Sequence, residues 1–211
     1  MLFQRYSDNP ILAANPQNQW ENYAVYNGTI IKKDNKFHLF YRAMGSEVEI
    51  DKKKLRLSVV GKAESRDGYK FTDRKIFLSP DHEWERYGCE DPRVTKLNDW
   101  YFIFYTALSD YPPSSSGIRV GVSLTKDLNK IEQKHLVTPF NAKAMTIFPE
   151  KINDLYTVIL TVNTDNPPTF IAYAQFAKLE TLWNMNFWNN WYRDIYFHFV
   201  QNKFERSLFN N

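Results

Sequence analysis

At 211 residues the chain is long enough for one good-sized core or at most two small domains. A net charge of +3, with only Lys52-Lys53-Lys54 as a basic run, gives no nucleic-acid footprint. A single cysteine excludes an internal disulfide framework, and no apolar run approaches a membrane span.

In chain order, residues 1–8 lack the apolar stretch of a signal peptide, so a soluble cytoplasmic protein is expected. Residues 30–42 read as strand, polar turn, strand, with Asp34-Asn35 supplying hairpin turn chemistry. A small-residue strand follows at 59–65 and ends in the turn Arg66-Asp67-Gly68. Next comes Gly88-Cys89-Glu90-Asp91-Pro92-Arg93. Pro92 fixes its own φ and pushes Asp91 toward extended backbone, so the step can aim a carboxylate into a cavity with a cation near it. The plain alternative is a loop salt bridge beside a turn proline. Cys89 has no His or second Cys close in sequence and reads as a small, semi-buried residue rather than a nucleophile.

The hairpin pattern then recurs. Residues 94–106 repeat it around Asn98-Asp99, with a small-residue strand at 119–125 and a turn at Lys126-Asp127-Leu128. Residues 148–160 repeat it around Asn153-Asp154, with a strand at 170–175 and a turn at Lys178-Leu179-Glu180. The aromatic after each turn falls at Phe37, Tyr101 and Tyr156, spacings of 64 and 55 residues. Helical period is confined to residues 179–191. A β-meander recurring at this interval predicts an all-β chain built as propeller blades, with loops at one end framing a pocket. The expected units are about 22–80, 90–140 and 144–180 within a single domain, with 181–211 a tail or partial fourth blade. High aromatic content, 17 %, fits strands and also provides platforms for sugar rings. Four dispersed histidines, His38, His82, His135 and His198, lack metal-ligand spacing, so neither metal nor cofactor is expected.

The ordered set Asn9-Pro10-Ile11-Leu12, Trp20-Glu21, Tyr26-Asn27-Gly28, Leu39-Phe40-Tyr41-Arg42, Ser65-Arg66-Asp67-Gly68, Trp84-Glu85, Glu90-Asp91-Pro92-Arg93, Tyr105-Thr106-Ala107 and Phe148-Pro149-Glu150-Lys151 resembles glycoside hydrolase family 130. The resemblance runs over residues 9–192. It implies a five-bladed β-propeller, here incomplete at about three blades plus a partial fourth. The activity it implies is inverting phosphorolysis of β-mannosides. Asp91 matches the general acid, whose proton reaches the glycosidic oxygen through a sugar hydroxyl. Inorganic phosphate as co-substrate needs no general base.

By the same resemblance, Arg93 orients Asp91, and Asn27 and Arg42 line the sugar pocket with Glu90. Lys151 and Arg119 are the phosphate candidates, since phosphate needs convergent cations. The loop at 161–168 departs from the phosphorylases: its Asp165 would repel phosphate, and could activate water in a hydrolase or be a plain turn residue. The implied partner is a β-mannoside oligosaccharide, with no nucleic acid or membrane and with a homo-oligomer through open sheet edges as an option. Hydrolysis and a non-catalytic remnant or sugar-binding module stay open as alternatives.

Overall fold

A computed structural model describes residues 4–164 and 168–199. Its strands are β1 (Ala24–Lys33), β2 (Lys36–Met44), β3 (Val48–Ile50), β4 (Lys53–Leu55), β5 (Ser58–Ser65), β6 (Thr72–Leu78), β7 (Gly88–Leu97), β8 (Trp100–Leu108), β9 (Ile118–Thr125), β10 (Gln133–Leu136), β11 (Ala142–Ile147), β12 (Tyr156–Val162) and β13 (Phe170–Phe176). The first blade is the antiparallel meander β1-β2-β5-β6, and the second is β7-β8-β9-β10. The third is β11-β12-β13. One parallel rung, Ser58 with Gly88, joins the first two. This is β-propeller construction.

Turn chemistry fixes the hairpins. Asp34 and Asn35 both take φ near +55°, at 50° and 59°, as a tight two-residue turn demands. Asp51 and Lys52 do the same in the small β3–β4 hairpin, which the sequence pattern does not announce. The third unit departs from expectation. Its first strand is β11, upstream of residues 148–150, and Asn153-Asp154 closes only the short Ile152–Leu155 bridge. The ladder reaches Phe148, whose N–H donates to the Thr157 carbonyl at 2.9 Å, and lapses at Pro149, which has no N–H to give.

Burial explains the continuous apolar run of β8. Alternate residues Tyr101, Ile103 and Tyr105 pack with Phe40, Val60 and Leu78 of the first blade. Phe102 and Phe104 face the other way, into a cluster with Met145, Ile147 and Val158 of the third. A strand covered on both faces loses its polar alternation. The third blade is covered in turn by a helix, α1 (Met185–Arg193), capped where Asn184 Oδ1 accepts from Phe187 N at 3.0 Å. Trp188 and Trp191, three apart, turn one face of α1 into the core, and their indole N–H groups bond the carbonyls of Leu182 and Tyr173. The stretch expected as a tail or partial fourth blade therefore holds, up to residue 199, α1 between two 3-10 turns and one bridge from Ala172 to Phe199.

Candidate active site

The first strand of each blade carries a bulge at the same place. Register breaks fall between Tyr26 and Thr29, between Glu90 and Arg93, and between Lys143 and Thr146. The first bulged residue is left-handed in all three: Asn27 at φ 51°, Asp91 at 52° and Ala144 at 53°. Asn and Asp tolerate this conformation better than other side-chain-bearing residues. A bulge re-aims its side chain, and the first two bulges aim at each other. Asn27 Nδ2 donates to Asp91 Oδ1 at 2.9 Å. The structure thus differs from the extended Asp91 expected before a proline.

Arg42, on β2 opposite Tyr26, completes the link. Its guanidinium lies 3.7 Å from Asp91 Oδ1 and forms a close ion pair with Glu90 Oε1. Arg42 Nε donates to Ser58 Oγ at 3.1 Å, and the Ser58 hydroxyl donates to Glu90 Oε1 at 3.0 Å. Behind it, the Tyr26 ring packs 4.8 Å from the guanidinium carbon. Burial pushes the Glu90 carboxyl above its usual range, and Arg42 and the Ser58 bond pull against that shift. Asp91 is a quarter exposed, and its Oδ2 takes no hydrogen bond among the described residues.

The remaining expected residues are placed as follows. Arg93 donates to the carbonyls of Pro92 at 2.9 Å and Asp91 at 3.4 Å, so it braces the bulge backbone and not the Asp91 carboxylate. Arg119 opens β9 opposite Ala107, at the same end of the second blade, and donates to the Ser116 carbonyl at 3.4 Å. Its buried Nε has no hydrogen-bond partner among the described residues. Lys151 is not brought to this cluster. It is exposed in the β11–β12 connection, at the hairpin-turn end of the blade, with its ammonium 4.6 Å from the Tyr156 ring. Asp165 lies outside the described residues.

Sequence reasoning missed Lys143, Ser58 and the part played by Tyr26. Lys143 is half-buried on β11 and precedes its bulge as Glu90 and Tyr26 precede theirs, and its charge acts on Glu90. Aligning the three units on their first strands, rather than on their turns, would have found it. Beside Asn27, a cleft of about 340 Å³ opens between the N-terminal segment and β1, touching Asn9, Ile11 and Tyr26. Another, of about 300 Å³ among Lys36, Glu64, Asp67 and Lys70, sits around turns at the opposite end. Among the described residues no cluster of His, Cys, Asp and Glu is placed to hold a metal. A partly exposed carboxylate with one oxygen held by Asn27 and with the Arg42 guanidinium beside it suits a polyhydroxylated ligand and proton donation.

Glycoside hydrolase family 130, described as beta-1,4-mannooligosaccharide phosphorylase, matches residues 5–206. The chain belongs to this family. Within family 130 it is 33 % identical over 179 residues to a 1,2-beta-oligomannan phosphorylase of Thermoanaerobacter sp. (strain X514), covering 83 % of this chain and 57 % of that protein. It is 31 % identical over 163 residues to a beta-1,2-mannobiose phosphorylase of the same organism, covering 73 % of this chain and 52 % of that one. The family 130 chain thus spans about half the length of the curated relatives it matches. A solved beta-1,2-mannobiose phosphorylase from Listeria innocua, in complex with beta-1,2-mannobiose, superposes with a TM-score of 0.64 at 24 % identity, over 83 % of this chain and 63 % of that one. That superposition carries the propeller fold of family 130.

Proposed function

We propose that the Asn27–Asp91–Arg42–Glu90 cluster is the acid half of an inverting β-mannoside phosphorylase site, with Asp91 as general acid. The observation that carries this is the paired bulges, which turn Asn27 and Asp91 toward one another and leave the Asp91 side chain a quarter exposed. Protonated Asp91 gives its proton to the glycosidic oxygen, by way of a hydroxyl of the sugar, as that C–O bond breaks. An oxygen of inorganic phosphate bonds the anomeric carbon from the opposite face. The products are mannose 1-phosphate and the shortened mannoside. Since phosphate is already an anion, no second carboxylate has to act as base.

In this reading Arg42 holds Glu90 and Asp91 in register and Asn27 fixes the acid's rotamer. Arg93 sets the bulge they stand on. Lys143 joins Arg119 as a source of positive charge for phosphate, in place of the distant Lys151. The 1,2-linked specificity in the relatives' names supports a β-1,2-mannoside as substrate. A ring closed by further chain or by a second copy supplies the rest of the pocket. Cys89, as a buried free thiol, suits a reducing cytoplasm.

Incubation with β-1,2-mannobiose, with and without phosphate, tests the reading by NMR. Mannose 1-phosphate appearing only with phosphate is expected. Free mannose regardless of phosphate would make the chain a hydrolase, and no product from folded protein would leave it a binding module or remnant.

A further inference from the structure

The two blades whose bulges meet share a second feature. Six residues before Asn27 stands Glu21, and six residues before Asp91 stands Glu85. Both are fully buried carboxylates. Glu21 accepts from the Tyr41 hydroxyl at 2.7 Å and pairs with Arg74 at 3.4 Å. Glu85 accepts from the Tyr105 hydroxyl at 2.7 Å and pairs with Lys134. In each blade the tyrosine comes from the second strand and the cation from the fourth.

The third strand contributes by having no side chain at this point. A Cβ on Gly61 would sit 2.6 Å from the Tyr41 ring and 2.8 Å from Trp20. On Gly121 it would sit 2.5 Å from Tyr105 and 2.7 Å from Trp84. Each carboxylate therefore ties the chain just before the first strand to the far edge of its own blade. The ring of the tyrosine crosses the glycine on the way.

The third blade is the internal comparison. In register, Leu160 takes the place of Tyr105 and Ala172 that of Gly121. Its bulge carries Ala144, which has no polar side chain to aim. The clamp is present where a bulge presents a functional side chain and missing where it does not. In the second blade it also grips the strand directly. The fully buried Cys89 thiol donates to Glu85 Oε2 at 3.4 Å, one residue before Glu90 and two before Asp91. Asp81 N and Lys134 hold the other oxygen.

We infer that Glu85, with Tyr105, Lys134 and Cys89, is a positioning device that sets where Asp91 stands relative to Asn27, and that the Glu21–Tyr41–Arg74 clamp does the same for Asn27. Its catalytic consequence rests on the function proposed above, but its geometric consequence does not.

The test uses the side-chain amide of Asn27 in ¹⁵N-labelled protein, assigned by its absence in Asn27→Gly. Tyr105→Phe, Cys89→Ala and Lys134→Met should each move that resonance, and Lys134→Arg should restore it. Leu160→Val, at the matching place in the third blade, should lower the melting temperature and leave the amide unmoved. In the turnover assay Tyr105→Phe should lower kcat about tenfold with little change in KM, the pattern of an interaction lost only in the transition state. An Asn27 amide unchanged in all three clamp variants, each shown to be folded, would overturn the inference whatever the activity. A moved amide in a protein that makes no mannose 1-phosphate would uphold the clamp and sink the phosphorylase reading instead.

Discussion

The amide of Asn27 reaches Asp91 Oδ1 at 2.9 Å across a separation of 64 residues, and both residues sit at φ near +50° in matching bulges of neighbouring blades. The contact is a product of repetition. Two copies of one strand geometry, placed side by side, bring their re-aimed side chains together. One copy supplies an acid and the other the donor that holds it.

Asn27→Gly separates conformation from hydrogen bonding, because glycine accepts the left-handed backbone without strain. The lost bond lies at an exposed position and is worth on the order of 1 kcal/mol to stability. The melting temperature should therefore change little while kcat falls about tenfold. Thermal unfolding and turnover measured on the same sample check both.

Arg42→Met leaves Glu90 without its counter-ion. Burial already raises the Glu90 carboxyl, so losing Arg42 should raise it further. A raised carboxyl stabilises the fold below its unfolded pKa and loses that contribution as pH rises through the folded value. The variant should therefore lie nearest the wild type in acid and fall behind it toward pH 7, by about 3 kcal/mol if the pair behaves as a buried one. Unfolding of both proteins across pH 4.5–7.5, with the Glu90 carboxyl followed by ¹³C NMR, checks the direction.

How much of this was legible from residues alone varies with the range of the interaction. The turns at Asp34-Asn35 and Asn153-Asp154 are local chemistry, and their backbone is left-handed as their sequence demands. The acid step at Glu90-Asp91-Pro92-Arg93 is local as well, but by itself it reads as a loop salt bridge beside a turn proline, and only the ordered set of motifs around it points to an acid. Strands β6 and β10 were not legible, since they are edge strands rich in charge, such as Asp73, Arg74 and Lys75, without strict alternation. Lys143 was hidden for a related reason. Its short strand begins well ahead of the turn that marks the third repeat, and Pro149 interrupts the pairing between them. The Arg42–Glu90 pair and the Asn27–Asp91 bond depend on how two blades pack, which no single stretch of sequence encodes.

Lys143→Ala and Lys151→Ala should behave oppositely. Lys143 stands at the bulge end of β11 and its charge reaches Glu90, whereas Lys151 lies in the connection at the other end over Tyr156. Removing Lys143 should raise the apparent phosphate requirement about tenfold or more, and removing Lys151 should leave it within about twofold, since only desolvated charge pairs near the reacting groups are worth that much. Initial rates against phosphate concentration for both variants decide it.

His38 gives the fold an acid-sensitive element apart from the site. It is buried, with Nδ1 3.5 Å from Glu64 Oε1 and with the fully buried Lys62 nearby. Burial first, and the Lys62 charge second, hold its pKa below the usual histidine value. The unfolded chain therefore takes the proton first, and stability should fall as pH drops below about 6.5. His38→Gln should flatten that fall between pH 7.5 and 5.5, a window in which Glu64 stays ionised because its carboxyl is lowered to about 2. Melting curves at closely spaced pH values measure the two slopes.

The most direct measurement is mannose 1-phosphate formation from β-1,2-mannobiose and phosphate by the wild type and by Asp91→Asn, side by side, with the fold of each verified by its melting temperature. The account predicts phosphate-dependent product from the wild type and a loss of about a thousandfold in the variant, within the range a general acid contributes, at a melting temperature within a few degrees. Equal turnover by the two proteins would contradict it, because Asp91 would then not be the acid that the bulges hold in place.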